Sequence, residues 1–225
     1  MAVELAGTIV KRASVHNEDQ IKKHDIRIGD SVYVEKGGEI IPKILGVNLL
    51  KRKPDSLPFG YAKFCPVCHT PLIREDGDAK HYCPNEFGCS PQITGKIDHF
   101  ISRKALHIDG LGSETVGLLH SEGLIQNYAD LYDLNVEDLL PLERMAEKSA
   151  NNIIRGLEES KSKSFEKVLF ALGIRFVGET VAKKLAIHYK TMEALLSASF
   201  EDLVEVDEIG VRIAQSIVDF SGDAA

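Results

Sequence analysis

Four cysteines carry the sharpest chemical signal in the chain. Cys65, Cys68, Cys83 and Cys89 fall within 25 residues, spaced C-x2-C-x14-C-x5-C. Thiolates are soft ligands, and two close pairs separated by roughly 15–20 residues suit a tetrahedral zinc site. Cys65-Pro66-Val67-Cys68 forms a knuckle that supplies one edge of the tetrahedron, and the second pair closes the other. Three readings compete with zinc bound by all four, of which four unrelated buried thiols would not cluster in this way. Two disulfides would need an oxidising compartment, and a three-cysteine site could recruit His69 or His81. Four thiolates leave no coordination position for water, so the zinc is expected to be structural and no residue is assigned a catalytic role. So short a segment cannot bury a core, and a strong chelator is expected to unfold it and loosen both flanking parts.

The second signal is a repeat. Four segments share a hydrophobic residue, a small residue, three variable residues and then Ala or Val. They are Leu111-Gly112 with Val116, Met145-Ala146 with Ala150, Val177-Gly178 with Ala182, and Ile209-Gly210 with Ala214. A unit of about 33 residues therefore recurs. A shift of 64 sets Asn135-Val136-Glu137-Asp138-Leu139 on Ser199-Phe200-Glu201-Asp202-Leu203, and a shift of 66 sets Leu106, Ile108 and Leu119 on Leu172, Ile174 and Leu185. The pattern is that of a duplicated pair of hairpins.

Each unit reads as a short helix, a tight turn and a second helix. Gly110-Leu111-Gly112 is the clearest turn, since glycine permits positive φ, and Ser113 is placed to cap the helix that follows. Successive backbone N–H groups beside a helix N-terminus can hold one phosphate, and no base edge would be read. The competing reading is a helical repeat whose glycines serve packing alone. The expected contacts are Gly110, Gly112, Ser113, Gly178 and Gly210, with nearby charge from Arg103, Lys104, Arg175, Lys183 and Lys184, and Lys96 close by. The second unit, with Arg144-Met145-Ala146 at its turn, and the fourth, with Glu208, are expected to be mainly structural.

A net charge of −7 opposes bulk attraction to nucleic acid. Residues 1–58 hold 10 Lys/Arg against 8 Asp/Glu, whereas residues 96–225 hold 14 against 22. Attraction in the last part must come from local donors rather than bulk charge. A hydrophobic fraction of 44% fits a globular chain. Neither a membrane-spanning run nor a secretory leader is visible, so a cytoplasmic location is expected.

The elements that carry these motifs fall into three parts. Residues 1–58 read as the second half of an OB-type barrel, with three strands and a helix. Thr8–Ala13 is strand-like, Asn17 with Gln20 caps a helix over Glu18–Lys23, and Ser31–Glu35 alternates as a half-buried strand. Gly37-Gly38 turns the chain into a strand over Glu39–Val47, where Pro42 marks an edge or a bulge. Lys51-Arg52-Lys53 then opens a linker and reads as solvated. Residues 59–95 form the zinc finger and residues 96–225 an all-helical domain of four repeats. The fold class is multidomain α+β.

This order of parts resembles the bacterial NAD-dependent DNA ligases. Ala6-Gly7-Thr8, Ala13-Ser14-Val15-His16-Asn17, Arg27-Ile28-Gly29-Asp30 and Gly38-Glu39-Ile40-Ile41-Pro42 are similar to that family's OB segment. The four cysteines match its zinc ligands in spacing. His99-Phe100-Ile101-Ser102-Arg103 and Leu172-Gly173-Ile174-Arg175 with Val177-Gly178-Glu179 resemble its helical domain. The resemblance implies a parent enzyme that seals 5′-phosphate nicks in duplex DNA through a lysyl-AMP intermediate, with NAD and magnesium. The family's adenylated Lys-x-Asp-Gly motif does not occur here, so a C-terminal fragment is expected that neither binds NAD nor ligates. Its expected partners are nicked double-stranded DNA and the adenylation domain of the same enzyme, with the chain monomeric. The alternatives are a stand-alone repair or recombination scaffold and a helix-hairpin-helix glycosylase or nuclease. No carboxylate set or nucleophilic lysine supports the latter.

Overall fold

The computed structural model describes residues 3–5, 7–36 and 42–223. The chain divides into two compact units, residues 1–85 and 86–225.

In the first unit, β1 (Val3–Leu5) and β2 (Thr8–Val10) pair antiparallel. Gly7 turns between them at a φ of 71°. The three strands read from sequence thus become four among the described residues, because a three-residue strand is too short to show alternation. Helix α1 (Glu18–Lys23) starts where Asn17 caps it, its side chain accepting from the Gln20 N–H at 3.0 Å. Strands β3 (Val32–Lys36) and β4 (Pro42–Val47) pair antiparallel from Val32↔Val47 to Lys36↔Pro42. Val32 and Val34 are half-buried, while Ser31, Tyr33 and Glu35 are exposed, as the alternation required. The bulge lies at Tyr33/Val34 rather than at Pro42. Pro42 instead opens its strand, where a missing N–H costs least, and its carbonyl accepts from the Ser14 N–H at 3.3 Å. The Gly37-Gly38 turn and Glu39–Ile41 lie outside the described residues.

One reading of the linker is corrected. Arg52 is not solvated: only 12% of its side chain is exposed, and it donates to Asp30 from Nη2 at 2.7 Å and to Asp25 from Nη1 at 2.5 Å. Arg27 completes the group, donating to Asp25 and, from Nη1, to the Ser56 carbonyl at 2.6 Å. The Arg52 guanidinium holds the Asp30 carboxyl below its usual range and is itself held protonated.

The second unit is helical. It contains α2 (Ser90–Ile101), α3 (Ser113–Ser121), α4 (Val136–Leu139), α5 (Glu147–Ser160) and α6 (Phe165–Ala171). These are followed by α7 (Glu179–Tyr189), α8 (Met192–Leu196), α9 (Phe200–Glu205) and α10 (Val211–Asp223). Two cores form. One gathers Ile97, Val116, Leu119, Leu131, Leu139 and Ile153, and the other gathers Leu169, Leu185, Leu195, Leu203 and Ile217. Each core serves one pair of hairpins, so the duplication read from sequence is a duplication of cores. The shift of 64 places buried Leu139 on buried Leu203 and Ile153 on Ile217. It also reproduces a capping box: Asn135 with Asp138, then Ser199 with Asp202. Among the described residues no helix is long and apolar enough to cross a membrane.

Candidate nucleic-acid interface and metal centre

The sulfurs of Cys65, Cys68, Cys83 and Cys89 all lie within 4.8 Å of one another, and none of the four is in a disulfide. Sulfurs bound to zinc at about 2.3 Å stand about 3.8 Å apart in a tetrahedron, so the set fits that ion. Neither His69 nor His81 joins the group. The knuckle is closed by backbone bonds, Cys65 N–H to Thr70 O at 2.8 Å and His69 N–H to Cys65 O at 3.0 Å, with His69 at a φ of 57°. The Thr70 hydroxyl lies 3.2 Å from Cys68 Sγ, and Cys83 Sγ lies 3.4 Å away. These donors, Thr70 first, pull the Cys68 thiol down to about 5, which favours the thiolate a metal needs. Across the described residues up to 85, the buried hydrophobic side chains are Ile21, Cys65 and Cys83. The finger therefore has no apolar core to replace a metal.

The four hairpins share one backbone geometry. Two residues before each small residue the chain turns through positive φ: Gly110 at 84°, Arg144 at 61°, Phe176 at 65° and Glu208 at 63°. In three of them the turn closes with an N–H to C=O bond: Met145 to Leu142, Val177 to Ile174 and Ile209 to Val206, at 3.1, 2.9 and 3.0 Å. The second unit is set apart in sequence by Arg144-Met145-Ala146 at its turn, and the fourth by the charge of Glu208. Their backbones follow the same path as the others. Turn and bend residues lead into both the first unit, over 102–106, and the second, over 140–144.

After each turn a helix begins. Gly112, Ala146 and Gly178 are N-caps without any side-chain cap, and α10 starts immediately after Gly210. Ser113, expected to cap, is instead the first helical residue. The fourth helical residue in every case, Val116, Ala150, Ala182 or Ala214, is fully buried. Its N–H bonds the carbonyl of the small residue at 2.9–3.0 Å. An α-helix leaves its first amides without intrahelical acceptors. By contrast, α4, α8 and α9 have those amides satisfied by Asn135, Thr191 and Ser199.

The glycines differ in their reasons. Gly110 needs its positive φ, and a Cβ there would meet Ile153 Cγ1 at 3.3 Å. Gly112, Gly178 and Gly210 have neither constraint: a Cβ at any of them would meet nothing within 4 Å. Packing within the fold does not demand glycine there.

Of the expected basic residues, Arg103, Arg175 and Lys183 are exposed. Lys104 is engaged with Glu179 at 2.9 Å. Lys184 pairs with Glu208 at 2.7 Å and Asp207 at 3.4 Å, so the Glu208 carboxylate is offset locally. Lys104 holds the Glu179 carboxyl below its usual range, and Glu208 pushes the Lys184 ammonium up. Lys96 pairs with Glu86 at 2.5 Å. Gln92, Lys96 and His99 of α2 face Leu172–Gly178 across a cleft of about 700 Å³, which Arg175 and Phe176 also line. The cleft is held by His99 Nε2, 2.8 Å from the Phe170 carbonyl oxygen.

Sequence reading missed Lys148 and Arg212. Each is the second residue of a hairpin helix and is exposed. A cation there opposes the helix dipole, so helix stability does not explain it. Its sequence signal is Lys or Arg two places after the small residue.

Family models match in chain order. Residues 1–56 match the NAD-dependent DNA ligase OB-fold domain and residues 64–90 the NAD-dependent DNA ligase C4 zinc finger domain. Residues 102–159 match a SAM-like helix-hairpin-helix tandem, and residues 167–225 a helix-hairpin-helix motif. The chain is 66% identical over 219 residues to a DNA ligase of Christiangramia forsetii, covering 97% of this chain and 33% of that protein. DNA ligases of Flavobacterium psychrophilum and Flavobacterium johnsoniae are 64% and 65% identical over 218 residues, with the same coverage. The chain spans about a third of the length of these curated relatives.

Proposed function

We propose that this chain, which matches the NAD-dependent DNA ligase OB-fold domain over residues 1–56 and its C4 zinc finger domain over residues 64–90, grips nicked duplex DNA for an enzyme of that family. The parent reaction joins a 5′-phosphate to a 3′-hydroxyl at the nick, at the expense of NAD and with magnesium. No Lys-x-Asp-Gly motif occurs in the sequence, so no catalytic residue is assigned. Cys65, Cys68, Cys83 and Cys89 would hold the zinc, which supplies cross-linking rather than chemistry.

The observation that carries the reading is the bare helix start after each hairpin. Gly112, Ala146 and Gly178 make no side-chain cap, and Gly112, Gly178 and Gly210 stand in open space that a strand could occupy. Phosphate is the fitting acceptor, since N–H donors and the helix dipole both favour an anion. Arg103, Arg175, Lys148, Lys183 and Arg212 add charge near these starts. Binding of this kind follows backbone shape and ignores base identity. The first unit leaves Ile28, Leu50 and Leu57 exposed, apolar surface suited to packing on the adenylation domain of the same enzyme. Four cysteines outside any disulfide suit a reducing cytoplasm, the location we propose.

The test is anisotropy of fluorescent nicked and intact duplexes titrated with the chain across a range of salt. Affinity should fall linearly on a log–log plot against salt and should not depend on sequence. A strong preference for one sequence, or indifference to salt, would overturn the proposal.

A further inference from the structure

Phe176 is the residue the fold accounts for least. It is 47% exposed at the tip of the third hairpin. Its φ of 65° is one that bulky side chains adopt rarely and at a cost. The three equivalent positions hold Gly110, Arg144 and Glu208, so the turn itself does not call for an aromatic ring. The ring joins neither core of the second unit. Two guanidiniums flank it instead: Arg175 at 5.0 Å from the ring centroid and Arg212 at 6.0 Å. Arg212 belongs to the start of α10, so the ring bridges the third hairpin to the fourth. Phe176 also lines the cleft beside Gly178, two residues before the bare N-cap.

We propose that Phe176 is an apolar DNA contact: its ring is covered by the deoxyribose and base edge next to the phosphate held at Gly178, while Arg175 and Arg212 reach the flanking phosphates. The proposal rests on the reading of the hairpins as DNA clamps and adds to it a contact that is not electrostatic. A strand laid on the Gly178 amides brings its sugar within reach of a side chain two residues away. A sugar and a base edge are the apolar parts of that strand, and aromatic rings contact them without regard to sequence. The flanking guanidiniums match the charge on either side. They also give the fourth hairpin a role that its Glu208 seemed to deny it.

Phe176→Asn tests this, because Asn tolerates the left-handed backbone and keeps the turn. Phe176→Leu, which keeps apolar area but loses the ring, serves as a second variant. Both should retain zinc and the wild-type melting temperature within a few degrees. Phe176→Asn should weaken duplex binding roughly tenfold with the slope of log K against log salt unchanged, since no charge is removed. Arg212→Gln should instead make that slope shallower by about 0.9. The proposal falls if Phe176→Asn binds like wild type while Gly178→Leu binds poorly, or if Phe176→Asn changes the slope as Arg212→Gln does. If the unaltered chain binds no duplex, the clamp reading itself fails, which is a separate result.

Discussion

Gly178→Leu separates a phosphate clamp from a packing glycine. Gly178 has a φ of −81°, open to any residue, and a Cβ there meets nothing within 4 Å. The folding cost is therefore that of a poorer N-cap, about 1 kcal/mol. The binding cost is larger. An isobutyl group over the starts of Glu179, Thr180 and Val181 keeps a phosphate from their amides. A hydrogen bond to a charged group contributes about 1.5–3 kcal/mol, and losing one weakens Kd roughly 10- to 100-fold. Because the amides are neutral, the salt slope should not change, whereas Lys183→Gln should make it shallower by about 0.9. The assay is anisotropy on a nicked duplex at several salt concentrations, with zinc content and melting temperature as controls. Wild-type affinity in a folded, zinc-loaded Gly178→Leu protein would refute the reasoning.

Three further outcomes are expected. In Gly156→Ala the new Cβ would lie 2.7 Å from the Asp109 carbonyl oxygen and 3.0 Å from its nitrogen. Overpacking of about 1–3 kcal/mol should exceed the helix gain of about 1 kcal/mol, lowering the melting temperature; a rise would contradict the packing. Chelation should release one zinc per chain and expose four thiols to a colorimetric thiol reagent, so metal-free protein with oxidised cysteines would count against the site. Asp30 is held below its ordinary value near 3.8. Its contribution to stability is thus complete above that pH and lost as pH falls through the lowered value. Arg52→Gln should be less stable at pH 7 and lose less on acidification below pH 4; superimposable profiles would show the pair to be idle.

Local rules made much of this molecule readable. Asn17 and Gln20 marked a helix start because capping is a contact between near neighbours. The cysteine spacing survived into a cluster because a two-residue knuckle can turn in only a few ways. The small residues at 112, 146, 178 and 210 marked helix starts because a buried fourth residue must follow each. What stayed hidden depended on distance or on broken local preference. Arg52 reads as part of a solvated run until Asp25 and Asp30, more than twenty residues earlier, close around it. Arg144, Phe176 and Glu208 take a backbone that propensity assigns to glycine, so the turns of the second, third and fourth hairpins could not be recognised by composition. Ser113 looked like a cap, although the chain enters the helix one residue earlier.

The ion pairs of Lys104 with Glu179 and of Lys184 with Glu208 engage two cations of a helical unit in which acidic residues outnumber basic ones. A grip built this way discriminates against polyanions in general. Heparin or a disordered acidic chain offers charge without the rigid spacing of phosphates that four fixed hairpins demand, and meets a repulsive surface instead. Attachment then depends on fit at several places together, so disturbing the spacing at one releases the rest. So conditional a hold would suit the proposed role, in which one nick is released before the next is gripped.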